Sequence, residues 1–311
     1  MTTTASPIPV PARAPRSEGP WLRAWRQLLR QRSAIVGMVI IAVLAFTAIF
    51  APLIAPHNPT EVLLGKQEGI EKRSGPCIHL LGCPAEQPQH LMGVDGNFRD
   101  LFSRVVFGAR LSLLIGFVTV TISLVLGVLL GAVAGYVGGL LDNVIMRVLD
   151  VVLAFPFLLL AIAIVSVLGP GLLNAMLGIA IVSVPAYARV IRASVLSARE
   201  EEYVTAARTV GVAPAGILFG HILPNSVSPL IVQATLGIGT AIIEVAALSF
   251  LGLGAQPPTP EWGSMLSAER NQVFTAPHLV FFPGLAIMLT VLGFNLLGDG
   301  LRDALDPRLK R

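Results

Sequence analysis

The sequence predicts an all-α protein that crosses a membrane with six transmembrane helices. Hydrophobic residues make up 54% of the 311 residues and charged residues only 13%, about half of the charged fraction of a soluble domain. Uncharged runs of membrane length alternate with polar segments, and most arginines lie beside those runs. The formal net charge of +4 therefore reflects membrane topology, and we expect no nucleic-acid partner.

The first uncharged run, residues 34–56, is longer than the apolar core of a signal peptide, which has roughly 7–15 residues. We interpret it as a transmembrane helix that is retained in the protein. The arm before it, residues 1–33, carries six arginines. Because basic residues flank a span on its cytoplasmic side, this arm is predicted to be cytoplasmic.

Residues 57–107 form a polar, turn-rich segment that is too long for a simple connector and is predicted to be extracytoplasmic. It contains the two cysteines of the chain, Cys77 and Cys83. A local disulfide between them fits an oxidising compartment. A metal or redox role is the weaker alternative, because no histidine or cysteine partner stands at zinc-finger spacing. The sequence therefore predicts no metal site.

The other five spans are predicted within residues 108–300, and the chain ends in a basic cytoplasmic tail, residues 301–311. Residues 142–150 are interpreted as a short polar connector between two of them. The predicted spans are residues 111–141, two spans within 151–188, then 226–253 and 279–298.

Glycine and proline mark specific positions in these spans. Gly127, Gly131 and Gly135 recur at every fourth residue, a small-residue stripe that permits close helix packing. A Gly-Pro-Gly sequence at residues 169–171 divides the longest uncharged run into the third and fourth spans. Kinks in those two spans are expected at Pro156 and Pro185.

A polar segment at residues 200–225 lies between the fourth and fifth spans. Gly211 is placed to end one helix in it and Pro214 to begin a second. The first helix has one face formed by Tyr203, Ala206, Ala207 and Val210. The segment is marked as cytoplasmic by Arg189, Arg192, Arg199 and Arg208.

The spacing of Ala206-Ala207, Gly211 and the sequence HILP at 221–224 resembles the EAA loop of bacterial ABC importer permeases. Thr205 stands where that family has Glu, and His221 stands where it has Ile. Two further stretches, residues 92–110 and 244–262, resemble the dipeptide/oligopeptide/nickel branch of these importers. On these stretches the chain is identified as a C-type permease subunit of that branch.

The first of those stretches precedes the second span and departs from the branch pattern at Phe98, where a glycine is usual. From the residues alone it reads as an amphipathic helix at the membrane surface. That interpretation also accommodates its arginines on the outer side. The positions that match the branch are Asp95, Arg99, Asp100, Ser103, Arg104, Gly108 and Arg110.

The resemblance implies a type I ABC importer permease fold and a heterodimer with a homologous permease subunit. The two permeases would line a path for peptides through the lipid bilayer of the bacterial cytoplasmic membrane, with both termini of this chain in the cytoplasm. An extracytoplasmic binding protein would deliver the solute, and two ATPase subunits would dock on the polar loops at 200–225. Docking and coupling are expected at Thr205, Ala206, Ala207, Arg208, Gly211 and Pro214.

Glu244 lies inside the fifth span, where a charge costs about 3 kcal/mol at the bilayer centre. One interpretation makes it a polar contact in the translocation path or its gate. The other places it at a seam between subunits or near the outer surface. The residues do not decide between the two.

The sequence lacks the G-x-x-x-x-G-K-[ST] phosphate loop and the H-E-x-x-H and G-x-S-x-G catalytic motifs. We therefore expect no enzyme activity and no cofactor in this chain, with ATP and Mg²⁺ used by the partner ATPases. The same architecture could import nickel chelates or another small solute. A stand-alone secondary carrier is the remaining alternative, but it would need a coupling-ion site and usually an inverted repeat.

Overall fold

The computed structural model describes residues 25–84 and 86–305, and the regular elements in these residues are helices. Helix α1 spans Arg32–Ile49, and the short helix α2 spans Ala51–Ile54. The single span predicted at residues 34–56 is therefore interrupted at Phe50. Pro52, near the start of α2, has no N–H to continue the hydrogen-bond ladder of α1.

The polar segment at residues 57–107, called the outer segment here after its predicted side of the membrane, folds through turns and two isolated β-bridges before the long helix that follows it. The bridges join Cys77 with His90 and Val94 with Asp100. The separate surface helix expected within residues 92–110 is wrong. Instead, Asp100 ends the second bridge and caps the long helix α3, Leu101–Val137, by accepting a hydrogen bond from Ser103 N at 2.8 Å.

Helices α4, Gly139–Leu153, and α5, Phe157–Leu168, meet at a bend of 93°. The expected connector at residues 142–150 is thus wrong, because those residues are helical. The third span is also not one long helix, since α5 has only 12 residues. Pro156 precedes α5 as its N-terminal cap and does not kink a continuous helix.

Helix α6, Leu172–Ala198, continues through Pro185. Three short pieces follow: helix α7 at Glu202–Thr209, helix α8 at Pro214–Ile217 and a π-helical turn at Leu218–Ile222. The last elements are α9 at Leu223–Asn225, α10 at Val227–Phe250, α11 at Trp262–Glu269 and α12 at His278–Leu305.

Five of the described helices are long and apolar enough to span a bilayer, namely α1, α3, α6, α10 and α12. The bent pair α4–α5 supplies a sixth candidate. Helix α3 packs most extensively on α6, and α12 packs between α10 and α1. The all-α architecture is therefore confirmed, with five candidate spans and a sixth if the bent pair α4–α5 crosses as one span.

Candidate functional site

The polar segment after α6 forms a helix, a turn and a second helical stretch, as the sequence predicts. Gly211 adopts φ +86°, a left-handed conformation in which glycine carries no steric penalty, and it ends α7. The turn is closed by a hydrogen bond from Val212 N to the Ala207 carbonyl oxygen at 3.1 Å. Pro214 begins α8, where its missing N–H has no consequence.

One side of this segment is anchored in the membrane domain. Val204 of α7 is fully buried and packs with buried residues of the second helical stretch and of three long helices. The sequence analysis did not single out Val204. This residue is apolar, but it does not lie on the helix face formed by Tyr203, Ala206, Ala207 and Val210. The cluster comprises Val204, Ile217, Leu218 and Ile222 with Ala132, Ile191, Val195 and Leu230.

The opposite side of the segment is exposed, and it includes large apolar side chains. Val210 is 82% exposed, Phe219 57% and Tyr203 39%. The face predicted from Tyr203, Ala206, Ala207 and Val210 therefore points away from the protein core rather than into it. The structure brings most of the expected docking residues to this surface: Thr205, Ala206, Arg208, Gly211 and Pro214 are exposed, and Ala207 is half-buried.

Ion pairs connect α4 to the end of α6 that leads into this segment. Arg192 donates two hydrogen bonds to Asp142, both of 2.6 Å, and Arg189 pairs with Asp150 at 2.7 Å. Two parallel guanidinium–carboxylate bonds fix both position and angle. The base of α6 is thus held against α4, a connection that the sequence analysis missed because it assigned residues 142–150 to a connector.

A cleft of about 660 Å³ lies beside the exposed segment, between α6, α10 and α12. Gln233 and Arg302 supply polar groups to its wall. Glu244 is not part of the cleft. It lies eleven residues beyond Gln233 on the same helix, which is about 16 Å along the axis and close to three full turns. Gln233, Thr240 and Glu244 therefore share one face of α10.

The carboxylate of Glu244 is half-buried, and it forms no hydrogen bond or ion pair within residues 25–84 and 86–305. Tyr187 of α6 is close enough to interact with it electrostatically. The structure therefore does not bring Glu244 together with the exposed residues of the segment at 200–225. It places this side chain in the middle of the helical domain, on the polar face of α10.

The outer segment is held to the membrane domain by charged side chains. Asp95 pairs with Arg99 at 2.8 Å and with Arg104 at 3.4 Å, and all three side chains are buried. Arg104 also donates to the carbonyl oxygens of Pro59 and Pro258. These contacts join the ends of α2, α3 and the loop before α11, so the arginines are structural links rather than exposed surface charge.

Phe98 adopts φ +58°, the left-handed conformation that a glycine would adopt at this turn. Its carbonyl oxygen accepts a hydrogen bond from Leu63 N at 2.9 Å, which ties two parts of the outer segment together. Cys77 and Cys83 are joined as a disulfide, with Cα atoms 5.4 Å apart. The outer segment is therefore an ordered substructure.

Comparison with known proteins assigns the family. A family model described as "Binding-protein-dependent transport system inner membrane component" matches residues 127–311, more than half of the chain. The chain belongs to this permease family. A second family model, the N-terminal transmembrane domain of oligopeptide transport permease C, matches residues 19–75. Together the two models cover the first span and the α4–α12 region of the permease.

Curated relatives match nearly the whole permease. It is 51% identical to the dipeptide transport system permease protein DppC of Alkalihalophilus pseudofirmus, over 94% of this chain and 91% of the relative. It is 47% identical to the di/tripeptide permease DppC of Pseudomonas aeruginosa, over 92% and 91% of the two chains. It is also 47% identical to the glutathione permease GsiD of Escherichia coli, over 94% and 91%.

A solved structure supports the fold. The inward-facing MetNI methionine ABC transporter contains a chain that aligns with 66% of this permease and 97% of its own length, at a TM-score of 0.53 and 20% sequence identity. The all-α importer-type fold is thus shown both by the helices themselves and by a known structure.

Proposed function

We propose that this permease is one of two homologous transmembrane subunits of an ATP-driven importer that carries peptides across a bacterial cytoplasmic membrane. The observation that carries the proposal is the exposed apolar surface of residues 200–225 on a member of this permease family. Peptide is the proposed solute because the relatives at 47–51% identity are named for dipeptides, di- and tripeptides and glutathione.

The exposed surface is the proposed docking site for an ATPase subunit. Small side chains at Ala206 and Gly211 permit close approach of a partner, and Val210 and Phe219 add apolar area that a partner would cover. Because Val204 anchors the segment, a push on the surface would be transmitted to the end of α6. The two ion pairs between α6 and α4 would carry the displacement into the third span.

The polar face of α10 is the proposed wall of the translocation path. Gln233, Thr240 and Glu244 lie on it at spacings of seven and four residues, and polar side chains in membrane helices usually face a cavity or another helix. A homologous subunit would close the open side of this face. In this arrangement Glu244 contacts the path, which favours the first of its two interpretations.

Topology and partners complete the proposal. Both termini and residues 200–225 lie in the cytoplasm, since basic residues concentrate there, and the segment at 57–107 faces an extracytoplasmic binding protein. The partner ATPases would bind and hydrolyse ATP with Mg²⁺.

Purification of the tagged chain in mild detergent tests the proposal. We expect a sister permease and two ATPase copies, or two related ATPases, to co-purify and to be identified by mass spectrometry. Ala206→Glu should lose the ATPases and keep the sister permease, because Ala206 is exposed on the docking surface. Ala268→Glu is the matched control, because Ala268 is an exposed alanine of helix α11 and the variant should keep all partners.

The opposite result has a defined meaning. A chain that purifies alone and transports solute in liposomes without ATP would replace this proposal with the secondary-carrier alternative. If Ala206→Glu still co-purified with the ATPase subunits in full, the docking surface would have to lie elsewhere on the chain.

A further inference from the structure

Three metal-ligand side chains from distant positions meet in the outer segment. His57 follows α2, His90 lies in the bridge to Cys77, and Asp100 caps α3. One ligand atom from each residue lies within 4.8 Å of the other two. His90 is 2% exposed and Asp100 1%, so two of the three groups are out of contact with solvent.

Both ring nitrogens of His90 face side-chain atoms that can bond to them. Its Nδ1 is 2.8 Å from Asp100 Oδ1, and its Nε2 is 3.1 Å from Gln67 Oε1. In the tautomer that donates Nε2–H to Gln67, the Nδ1 lone pair faces the carboxylate of Asp100. A cation between Nδ1 and Oδ1 would satisfy both groups.

Asp100 is available as a ligand without loss of its helix cap. Its Oδ2 accepts hydrogen bonds from the Ser103 N–H at 2.8 Å and the Ser103 hydroxyl at 2.6 Å. Among residues 25–84 and 86–305, the hydrogen-bond partner of its Oδ1 is His90. Oδ1 can therefore ligate a cation while Oδ2 keeps the helix cap.

His57 provides the third ligand. Its ring centroid is 5.6 Å from that of His90, and its ring nitrogens have no hydrogen-bond partner among residues 25–84 and 86–305. Within these residues, no hydrogen bond therefore opposes a rotation of the His57 ring. Its backbone N–H bonds to Ser103 Oγ at 3.2 Å, which fixes the main chain next to Asp100.

We propose that His57, His90 and Asp100 bind one divalent transition-metal ion of the Zn²⁺ type. Two imidazoles and a carboxylate are a ligand set that Zn²⁺ accepts, with a fourth position left for water. In this site the metal replaces the proton between His90 and Asp100. Gln67 acts as the outer partner that accepts from His90 Nε2–H and so selects the tautomer that ligates through Nδ1.

The geometry requires only small movements. Ligand atoms of a tetrahedral ion with bonds of about 2.0 Å lie about 3.3 Å apart, so the His90–Asp100 pair must open by roughly 0.5 Å. The widest separation in the cluster must close by roughly 1.5 Å, which a rotation of the unpartnered His57 ring supplies. The bound ion would connect the end of α2, the disulfide-bonded loop and the start of α3 at a single point.

The test uses the full-length chain with a Strep tag, because a polyhistidine tag would itself bind metal. The purified chain is stripped with EDTA, dialysed against Zn²⁺ and then against metal-free buffer, and its metal content is measured by mass spectrometry. We expect one Zn²⁺ ion per chain in the wild type and its loss in His57→Ala. His79→Ala is the matched control and keeps the ion, since His79 bonds to the Gln87 carbonyl oxygen in the same loop.

A second measurement does not depend on any variant. Co²⁺ added to the stripped wild-type chain should give visible d–d absorption of a protein-bound ion, and Zn²⁺ should abolish it. Gln67→Leu should retain the ion but weaken Zn²⁺ binding about 10–100-fold, as expected for loss of an outer partner of a ligand.

Two results would overturn the proposal. One is a His57→Ala chain that is monodisperse on gel filtration and holds as much Zn²⁺ as the wild type. The other is a wild-type chain that holds no metal after dialysis and leaves the Co²⁺ spectrum that of the aqueous ion. In the second case His90 and Asp100 share only the hydrogen bond between Nδ1 and Oδ1.

Discussion

At the scale of single residues, Glu261 is a buried carboxylate that caps α11 in the outer part of the molecule. It is 2% exposed and accepts hydrogen bonds from the N–H groups of Gly263 at 2.8 Å and Ser264 at 2.7 Å. Burial raises the pKa of Glu261, and these hydrogen bonds only partly oppose the effect. The ionised form of Glu261 is therefore less favourable in this buried site than it is in water.

This shift predicts how Glu261 affects stability as the pH changes. The folded-state pKa lies above that of an unfolded glutamate, about 4.3. The contribution of Glu261 to stability is thus complete below that value and is lost as the pH rises through the folded-state pKa. Between about pH 4 and pH 8, the unfolding midpoint of the wild type should fall further than that of Glu261→Gln, measured in detergent.

The exposed Glu86 of the outer segment supplies the control. Glu86→Gln should follow the wild-type curve, because it removes an exposed carboxylate and leaves the Glu261 cap of α11 in place. If the curves of wild type and Glu261→Gln run parallel over the whole range, the pKa of Glu261 is not raised in the folded protein.

At the scale of elements, the packing of α3 on α6 depends on the absence of side chains. A Cβ built on Gly131 would collide with the carbonyl oxygen of Ala188 and lie 2.6 Å from Ile191 Cγ2. The backbone of one helix thus touches the other directly at Gly131, as small-residue stripes in membrane helices allow.

We expect Gly131→Ala to lower the unfolding midpoint in detergent, because two helix backbones must separate to admit one methyl group. Overpacking of this kind costs about 1–3 kcal/mol. Gly284→Ala in α12 is the matched control, since the added Cβ would meet no side chain and no backbone of another element within 4 Å. It should leave the midpoint unchanged or raise it slightly, as alanine is the better helix former by up to about 1 kcal/mol. Equal midpoints for the two variants would show that α3 and α6 can separate freely at this point.

The elements that sequence reasoning predicted well are those specified by local composition. The uncharged runs became helices, and Gly211 and Pro214 ended and began helices as expected, because backbone conformation at glycine and proline is a local property. Helix α4 was missed for the opposite reason. Its Asp142 and Asp150 look like loop residues until their partners, 50 and 39 residues away in α6, are known.

The candidate site shows the same division. The position of the segment at residues 200–225 could be predicted from the sequence. Its buried face could not be predicted, because Val204 is held there by residues from three other helices. The cluster of His57, His90 and Asp100 could not be predicted from the sequence either. They are separated by 33 and 10 positions, which match no linear metal motif, and only the folding of the outer segment brings them together.

At the scale of the whole molecule, the proposed importer requires that a movement of residues 200–225 be transmitted to the polar face of α10. The exposed segment is rigidly attached through Val204 and the base of α6, whose Arg192 is bonded to α4. The polar face of α10 begins beside the same base, at the cleft that contains Gln233. The proposed docking surface and the proposed path are thus adjacent at this cleft, so a small displacement of the segment would alter the width of the cleft.

This arrangement predicts the effect of a charge placed on the docking surface. Gly211→Asp should insert into the membrane normally but uncouple peptide uptake from ATP hydrolysis, because the carboxylate blocks close approach of the ATPase. Uptake should fall by about tenfold or more, which corresponds to a loss of at least roughly 1.4 kcal/mol of docking free energy. Uptake of labelled dipeptide and ATP hydrolysis are measured in the same proteoliposomes.

The chain offers a close control for the backbone effect of this substitution. Gly65 in the outer segment has φ +78°, against +86° for Gly211, and neither position has an atom within 4 Å of an added Cβ. Gly65→Asp therefore carries a similar conformational penalty without touching the docking surface, and it should retain uptake. Equal losses in the two variants would attribute the defect to backbone strain. Normal uptake by Gly211→Asp would mean that the ATPase does not contact this turn, because a buried carboxylate at a tight interface cannot be neutral in its effect.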